Sequence, residues 1–477
     1  MSTPAFKTRF APSPTGLLHL GNIRTALFNY LLARRHAGVF LLRLEDTDAM
    51  RGHEKYAAAL MDDLRWLGLQ WDEGPEAGGA HGPYEQSRRG EVYRDYFVQL
   101  EQQALAYPCF CSEQELSIAR KTAIAAGRAP RYSGKCRTLS VQERQALFAA
   151  GTPATLRFRV PEGRTVTFDD RVRGPQSSAS DDIGDFVIRR SDGTPAFFFC
   201  NAIDDATMGV TLVVRGEDHL TNTFRQLMLF EALGLSAPAY AHIALVIGAD
   251  GAPLSKRTGS QSAQELRAAG YLPEAVNNYL ARLGHTYEAT GWLDRKALAA
   301  QFDIERLNRA PAHFDPQHLR HWQHEAVRHA PVSELAAWMG DEVHKLVWAT
   351  QREAFVECVR GNVTFPADAL HWARILCSDD VTPSAEARDA IEGAGATFFA
   401  HALHALTQHG TDFKALSEAL KKASGRSGKA LFQPLRAALT GELDGPEMAK
   451  LLPLLGAERA RNRLAKCAGL EMAGSSK

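Results

Sequence analysis

The segment from Lys7 to Leu44 constrains this chain most. Lys7 to Ala11 reads as a short strand, and Pro12-Ser13-Pro14-Thr15-Gly16 as a turn. From about Asn22 to Arg35, Ile23, Ala26, Leu27, Tyr30 and Leu31 recur at helical spacing. Asn22 is the expected N-cap, Arg34 and Arg35 suit the negative end of the helix dipole, and Gly38 suits the stop. Val39 to Leu44 then reads as a buried strand. A strand, a helix and a strand in this order imply a parallel sheet with helices on its faces.

The same rhythm continues downstream. Amphipathic helices are expected from His53 to Leu67 and from Gly90 to Leu105. From Ala154 to Ile188 the pattern becomes β-like, with turns at Glu162-Gly163 and Arg173-Gly174. Val210 to Val214 is another apolar strand, and a helix follows from about Thr223 to Leu233, stopped by Gly234. The β-rich middle therefore looks like an insertion into a doubly wound α/β domain. Beyond about residue 320 the chain reads as nearly all helix. With 477 residues, several domains are expected.

Composition excludes little. Lys+Arg and Asp+Glu are both 55, so net charge does not decide for or against a nucleic acid. No apolar run reaches the length of a membrane span, and the N-terminus lacks the apolar core of a signal peptide. A cytoplasmic protein is the expectation. Seven cysteines, an odd and sparse set, fit a reducing compartment.

Four groups of residues could carry chemistry. The first is Pro12 to Asn22, where a Pro/Gly turn and a helix start with His19 suit phosphate binding. The imidazole could donate to a phosphate oxygen as charge builds there. The second is Leu254-Ser255-Lys256-Arg257, in a Gly-containing loop that could close over pyrophosphate. One such aimed donor is worth about 3–4 kcal/mol. The third is Arg9, Glu45, Asp46, Asp48, Arg215, Glu217 and Asp218. Arginine reads a carboxylate with its two-pronged fork, and Glu45 follows a buried strand, where it could hold an ammonium group. The fourth is Cys109, Cys111 and Cys136. Zinc requires four ligands, and Tyr132 and Thr138 are the neighbouring candidates for the fourth.

In their order and spacing these motifs resemble the class I aminoacyl-tRNA synthetases, and among them the bacterial glutamyl-tRNA synthetases. The resemblance covers essentially the whole chain. It rests on Arg9 to Gly16, His19-Leu20-Gly21-Asn22, Glu45-Asp46-Thr47-Asp48, Val214 to His219 with Asn222-Thr223, and Leu254-Ser255-Lys256-Arg257. Tyr271 to Ala275, Asn278-Tyr279-Leu280 and Pro434 to Gly441 add to it. It implies ATP-dependent activation of L-glutamate and transfer to the terminal adenosine of tRNA(Glu), with tRNA(Gln) as a second acceptor in some relatives. It implies that Arg9, Ser13, Glu45, Phe197, Asn201 and Arg215 bind glutamate, with Arg215 reading the side-chain carboxylate. Pro12, Thr15, Gly16, His19, Gly21, Glu217, Leu254, Ser255, Lys256 and Arg257 would bind ATP with Mg2+. His19 and Lys256 are the catalytic pair, acting on the phosphates without a protein nucleophile. Cys109, Cys111, Tyr132 and Cys136 would hold zinc, through the Tyr-x-x-x-Cys arrangement of Tyr132 with Cys136.

Three departures stand out. Phe197 replaces a frequent Tyr, Pro253 replaces the first lysine of the nucleotide loop, and Cys136-Arg137-Thr138 replaces Cys-x-His. The resemblance implies a catalytic domain over residues 1–105 and 193–240, an acceptor-end insertion over 106–192, a connecting domain over 241–322 and a helical anticodon-binding region over 323–477. A monomer is the family expectation. The length argues against the shortened relative that modifies tRNA-Asp. The helical last third argues against glutaminyl-tRNA synthetase, whose C-terminal part is β-rich. A non-catalytic tRNA-binding or regulatory relative that kept the fold is the rival of another class.

Overall fold

A computed structural model describes residues 5–47, 53–127, 130–248, 250–254 and 261–469. The chain divides into two compact units. One comprises Met1–Leu266 with Val276–Pro316, the other Arg267–Ala275 with Gln317–Lys477.

The first unit opens with β1 (Lys7–Phe10), α1 (Leu20–Arg35), β2 (Val39–Leu42), α2 (His53–Trp66), α3 (Gly90–Gln102) and β3 (Ala106–Cys109). Next come α4 (Glu113–Ala125), α5 (Val141–Ala149), β4 (Thr155–Phe158), β5 (Thr165–Asp170), β6 (Gly174–Ala179), α6 (Ser180–Ile183) and β7 (Phe186–Arg189). Then α7 (Phe197–Thr207), β8 (Leu212–Gly216), α8 (Leu220–Leu233) and β9 (Ala239–Ile243) restore the α/β alternation. The expected elements are present, with ends shifted by a few residues.

The main sheet has the order β2-β1-β8-β9-β5-β6. Its first five strands pair in parallel, and β6 returns antiparallel to β5. All four residues of β1 are buried, as a central parallel strand requires. Two strands of this sheet, β5 and β6, lie within residues 106–192. The other strands of that stretch, β3, β4 and β7, form a separate antiparallel sheet.

Helix α1 begins two residues earlier than expected. Ile23 N donates to His19 O at 3.0 Å, so the first intrahelical bond falls on His19. His19 is therefore the cap residue, and it makes no side-chain capping bond. Asn22, the expected cap, lies inside the first turn. At the other end Ala37 takes the left-handed conformation with φ 47°. Gly38 has a different task, because a Cβ there would collide with the carbonyl of Phe6. Gly234 does close α8 in the left-handed conformation, with φ 64°.

The two halves of the doubly wound sheet are joined by a buried polar cluster on α7. Asp204 accepts from Arg89 Nε at 2.7 Å, Gln86 Nε2 at 2.8 Å and Tyr93 Oη at 2.9 Å. Asp205 accepts from Arg43 Nη1 at 2.8 Å and Arg9 Nε at 3.3 Å. Burial works against the charge on Asp205, but Arg9 and Arg43 outweigh it and lower its pKa.

The second unit is helical, from Pro316–His329 to Ala457–Cys467. Its core packs Leu335, Phe355, Trp372, Phe399, Leu420, Leu435, Leu451 and Leu464. Arg463, itself buried, donates to the carbonyls of Ile375, Ser378 and Leu439. It satisfies helix-end acceptors that would otherwise be buried without donors.

Asp204→Ala is expected to destabilise the first unit by about 3–5 kcal/mol, because it leaves the buried Arg89 without its carboxylate. Urea unfolding followed by amide hydrogen exchange within residues 5–316 measures this. An unchanged midpoint would remove the cluster from its structural role.

Candidate functional site

Parallel α/β sheets bind ligands at the carboxyl ends of their strands. Here the ends of β1, β2, β8 and β9 surround a cavity of about 610 Å3. Arg9 to Ser13 enter it from β1, Glu45 from beyond β2, Arg215 and Gly216 from β8, and Ile243 to Val246 from β9. His19, Gly21, Asn22, Arg24 and Thr25 add the first turns of α1. Phe197 and Asn201 come from α7, and Pro253 and Leu254 from the later loop.

The turn after β1 is held against the end of β2. Glu45 N donates to Pro12 O at 3.0 Å, which brings the Pro-rich corner beside the acid. Glu45 is buried, with Arg43 Nη2 3.4 Å from its Oε1. Burial pushes its carboxyl up to about 7, although Arg43 and Arg9 pull the other way. Arg43 Nη2 also reaches Asn201 Oδ1 at 3.3 Å, and Asn201 Nδ2 donates to Phe197 O at 3.1 Å. Phe197 stacks on His219, with ring centroids 5.4 Å apart.

Arg215 also lines the cavity and is 5% exposed. Its Nε lies 3.1 Å from His242 Nε2, and its Nη2 donates to Thr223 Oγ1 and Gln226 Oε1, each at 2.7 Å. Its Nη1 is buried and has no hydrogen-bond partner among the described residues. Burial lowers the guanidinium to about 10, so it remains a cation near neutral pH. A buried cationic donor beside an open cavity suits an anionic ligand group.

The candidate residues are thus largely brought together. Arg9, Pro12, Ser13, His19, Gly21, Glu45, Phe197, Asn201, Arg215 and Leu254 line one cavity. Thr15, Gly16 and Glu217 do not line it. Thr15 N closes a tight turn onto Ser13 O at 2.8 Å. Glu217 Oε1 accepts from Leu245 N at 3.1 Å, and its other oxygen pairs with Arg173, so it ties strand ends together. Ser255, Lys256, Arg257 and Asp48 lie outside the described residues. On either side of the loop, Leu254 lines the cavity and Ser262 pairs with the backbone of His19.

Sequence reasoning missed Arg24, Arg43, Asp170, Asp204, Asp205, Gln226 and His242. Arg43 had a visible signal, since it interrupts the apolar run from Val39 to Leu44. Arg24, Asp170, Asp204, Asp205 and His242 lack a local pattern, because their partners come from distant parts of the chain, and Gln226 stands on α8 outside any motif.

The cysteines converge separately. The sulfurs of Cys109, Cys111 and Cys136 lie within 4.8 Å of one another. The Tyr132 hydroxyl is 3.4 Å from Cys109 Sγ and 3.7 Å from Cys111 Sγ. The set offers the four donors of a tetrahedral site, with Tyr132 supplying the oxygen. Arg157 lies over the Tyr132 ring, 3.9 Å from its centroid. Burial disfavours a thiolate at Cys109, but hydrogen bonds from Tyr132 and Arg157 outweigh it and bring the thiol down to about 7.

Known proteins share this architecture. Residues 5–321 match the family described as tRNA synthetases class I (E and Q), catalytic domain, and residues 317–468 match an anticodon binding domain. Glutamate–tRNA ligase 2 of Nitrosococcus oceani is 59% identical over 98% of this chain and 99% of its own length. Glutamate–tRNA ligase 1 of Methylococcus capsulatus is 54% identical over 97% and 98%. The crystal structure of a glutamate tRNA ligase from Elizabethkingia meningosepticum, in complex with its amino acid, superposes with a TM-score of 0.85 at 29% identity. It covers 98% of this chain and 99% of its own.

The buried carboxyl of Glu45 yields a pH prediction. Its pKa is raised in the folded chain, from an ordinary 4.5 to about 7. The native state therefore holds the extra proton between these values, and that stabilisation is lost as pH rises through about 7. Relative to Glu45→Gln, the wild type is expected to be more favoured at about pH 5 than at about pH 8. Melting temperatures of the two proteins at both pH values test it, and a constant difference would show Glu45 ionised throughout.

Proposed function

The chain belongs to the class I tRNA synthetases for glutamate and glutamine, and within them to the glutamate–tRNA ligases; from that premise we propose that the cavity between Glu45 and Arg215 is where glutamate is activated. The reaction joins L-glutamate to ATP as glutamyl-adenylate, releases pyrophosphate and passes the glutamyl group to the 3′-terminal adenosine of tRNA. The full-length likeness to ligases favours this enzyme over a non-catalytic tRNA-binding relative.

The observation that carries the assignment is the free Nη1 of Arg215, buried beside the cavity. It receives one oxygen of the side-chain carboxylate. Glutamine brings a neutral carboxamide whose NH2 cannot accept from this guanidinium nitrogen, which is a misfit costing several kcal/mol. Glu45, as the carboxylate, holds the ammonium group. Arg9, Ser13, Phe197 and Asn201 enclose the rest of the amino acid. With Phe197 in place of the family's frequent tyrosine, that position contributes shape and no hydroxyl contact.

The ATP side is the corner of Pro12, His19, Gly21 and Leu254. His19 faces the phosphates from the start of α1, where the helix dipole favours negative charge. Lys256, with Ser255 and Arg257, supplies opposing positive charge, and the flanking Leu254 and Ser262 support that role. Thr15, Gly16 and Glu217 shape the rim of the site. Mg2+ on ATP offsets part of the triphosphate charge. Catalysis then consists of positioning and electrostatic stabilisation at the α-phosphate.

Residues 106–192 receive the acceptor end of tRNA, and the helical region reads the anticodon. Cys109, Cys111, Cys136 and Tyr132 would hold zinc, which would tie the end of β3 to the segment around Cys136. We place the protein in the cytoplasm as a monomer; no helix among the described residues is long and apolar enough to cross a membrane. tRNA(Glu) is the acceptor, and charging of purified tRNA(Glu) and tRNA(Gln) decides whether tRNA(Gln) is a second one.

Two outcomes are expected. Arg215→Ala should lower kcat/KM for glutamate in ATP–pyrophosphate exchange by more than about 2 kcal/mol, or about 30-fold. Near-normal glutamate kinetics would remove Arg215 from the carboxylate role. Elemental analysis of the purified chain should find about one zinc per molecule, reduced to background in Cys136→Ser. Equal metal content in both proteins would take Cys136 out of the site.

A further inference from the structure

The register of the main sheet sets Arg215 of β8 directly beside His242 of β9. Neighbours across paired strands leave the sheet on the same face. Both side chains are buried. Arg215 Nε is 3.1 Å from His242 Nε2, and a guanidinium nitrogen can only donate. Nε2 must therefore accept, which leaves the ring proton on Nδ1.

Nδ1 faces Asp170 Oδ2 at 2.6 Å. Asp170 sits at the end of β5, in the hairpin that extends the main sheet. Its Oδ1 accepts from Val172 N at 2.9 Å and Arg173 N at 2.7 Å, and its Oδ2 accepts from His242 N at 3.0 Å. A carboxylate surrounded by backbone donors stays ionised and can only accept. Every proton along the line Asp170–His242–Arg215 is thereby assigned. A doubly protonated His242 would set an N–H against the N–H of Arg215. Burial also lowers its pKa, against the pull of Asp170.

We propose that Asp170 and His242 form a positioning relay that fixes the rotation of the Arg215 guanidinium and thereby sets the preference for a side-chain carboxylate over a carboxamide. This rests on the reading of Arg215 as receptor of the glutamate side chain. The relay anchors Nε, while Thr223 and Gln226 of α8 anchor Nη2. Only Nη1 is left for the ligand. Without the acceptor at Nε2, the guanidinium can swing aside, and the corner loses both its aim at a carboxylate and its rejection of an amide.

The test is ATP–pyrophosphate exchange with the full-length enzyme and its tRNA, at saturating ATP. His242→Leu should raise the KM for glutamate about tenfold or more, with the KM for ATP within about twofold, and should narrow the discrimination against glutamine. His242→Gln, whose Oε1 can accept from Arg215 Nε, should restore the KM for glutamate to within about threefold. Equal losses in the Leu and Gln variants would mean that packing is at work, and would overturn the relay. Arg215→Lys runs in parallel. If it leaves the KM for glutamate unchanged, the receptor reading fails and the relay with it. If it raises that KM while His242→Leu does not, the relay alone is overturned. Should His242→Leu fail to fold, 15N NMR of histidine-labelled wild type decides: an Nδ1–H tautomer at His242 supports the relay, and an Nε2–H or doubly protonated ring excludes it.

Discussion

The paired aspartates of α7 hold the catalytic unit in register. Asp204 and Asp205 follow the β-rich stretch in sequence, whereas Arg9, Arg43 and Arg89 precede it. Their buried ion pairs therefore join the two halves of a sheet that the chain completes only after a long excursion. Burying such charges is costly, and an apolar cluster could have been at least as stable. What the cluster adds is direction. Arg43 reaches Asp205, Glu45 and Asn201 at once, so the fold's central link also holds two residues of the cavity lining, Glu45 and Asn201.

Local features of the sequence were legible because local physics controls them. The period of Ile23, Ala26, Leu27, Tyr30 and Leu31 found α1, and the apolar run from Val39 found β2. The helix start was displaced because backbone bonding at His19, and no side-chain cap, fixes it. Pairing between distant strands was not legible. Nothing in Thr165 to Ala179 signals that this hairpin joins the parallel sheet beside β9, because the partner strand begins at Ala239. Asp170 and His242 stand 72 residues apart and become neighbours only through that pairing.

The site was legible in a different way. Short motifs gave Arg9, Ser13, His19, Glu45 and Arg215, which line one cavity. The residues that orient them belong to no motif, because they act through contacts made in three dimensions. Glu217 shows the converse: it stands in the motif Arg215-Gly216-Glu217-Asp218-His219, yet its carboxylate binds Leu245 N and Arg173. A motif can thus mark the architecture around a site as readily as the site itself.

The anchoring of Arg215 bears on how such a corner can change over evolutionary time. Three side chains from β9 and α8 fit its guanidinium, and replacing that residue alone would strand the Gln226 amide oxygen and leave Thr223 and His242 with only each other at 3.1 Å. Each orphaned group in a buried setting carries a cost of about 1–3 kcal/mol. A drift toward a neutral ligand therefore passes through a valley of poorly folded intermediates unless several positions move together. The corner is conservative because its neighbours depend on it, quite apart from the ligand it meets.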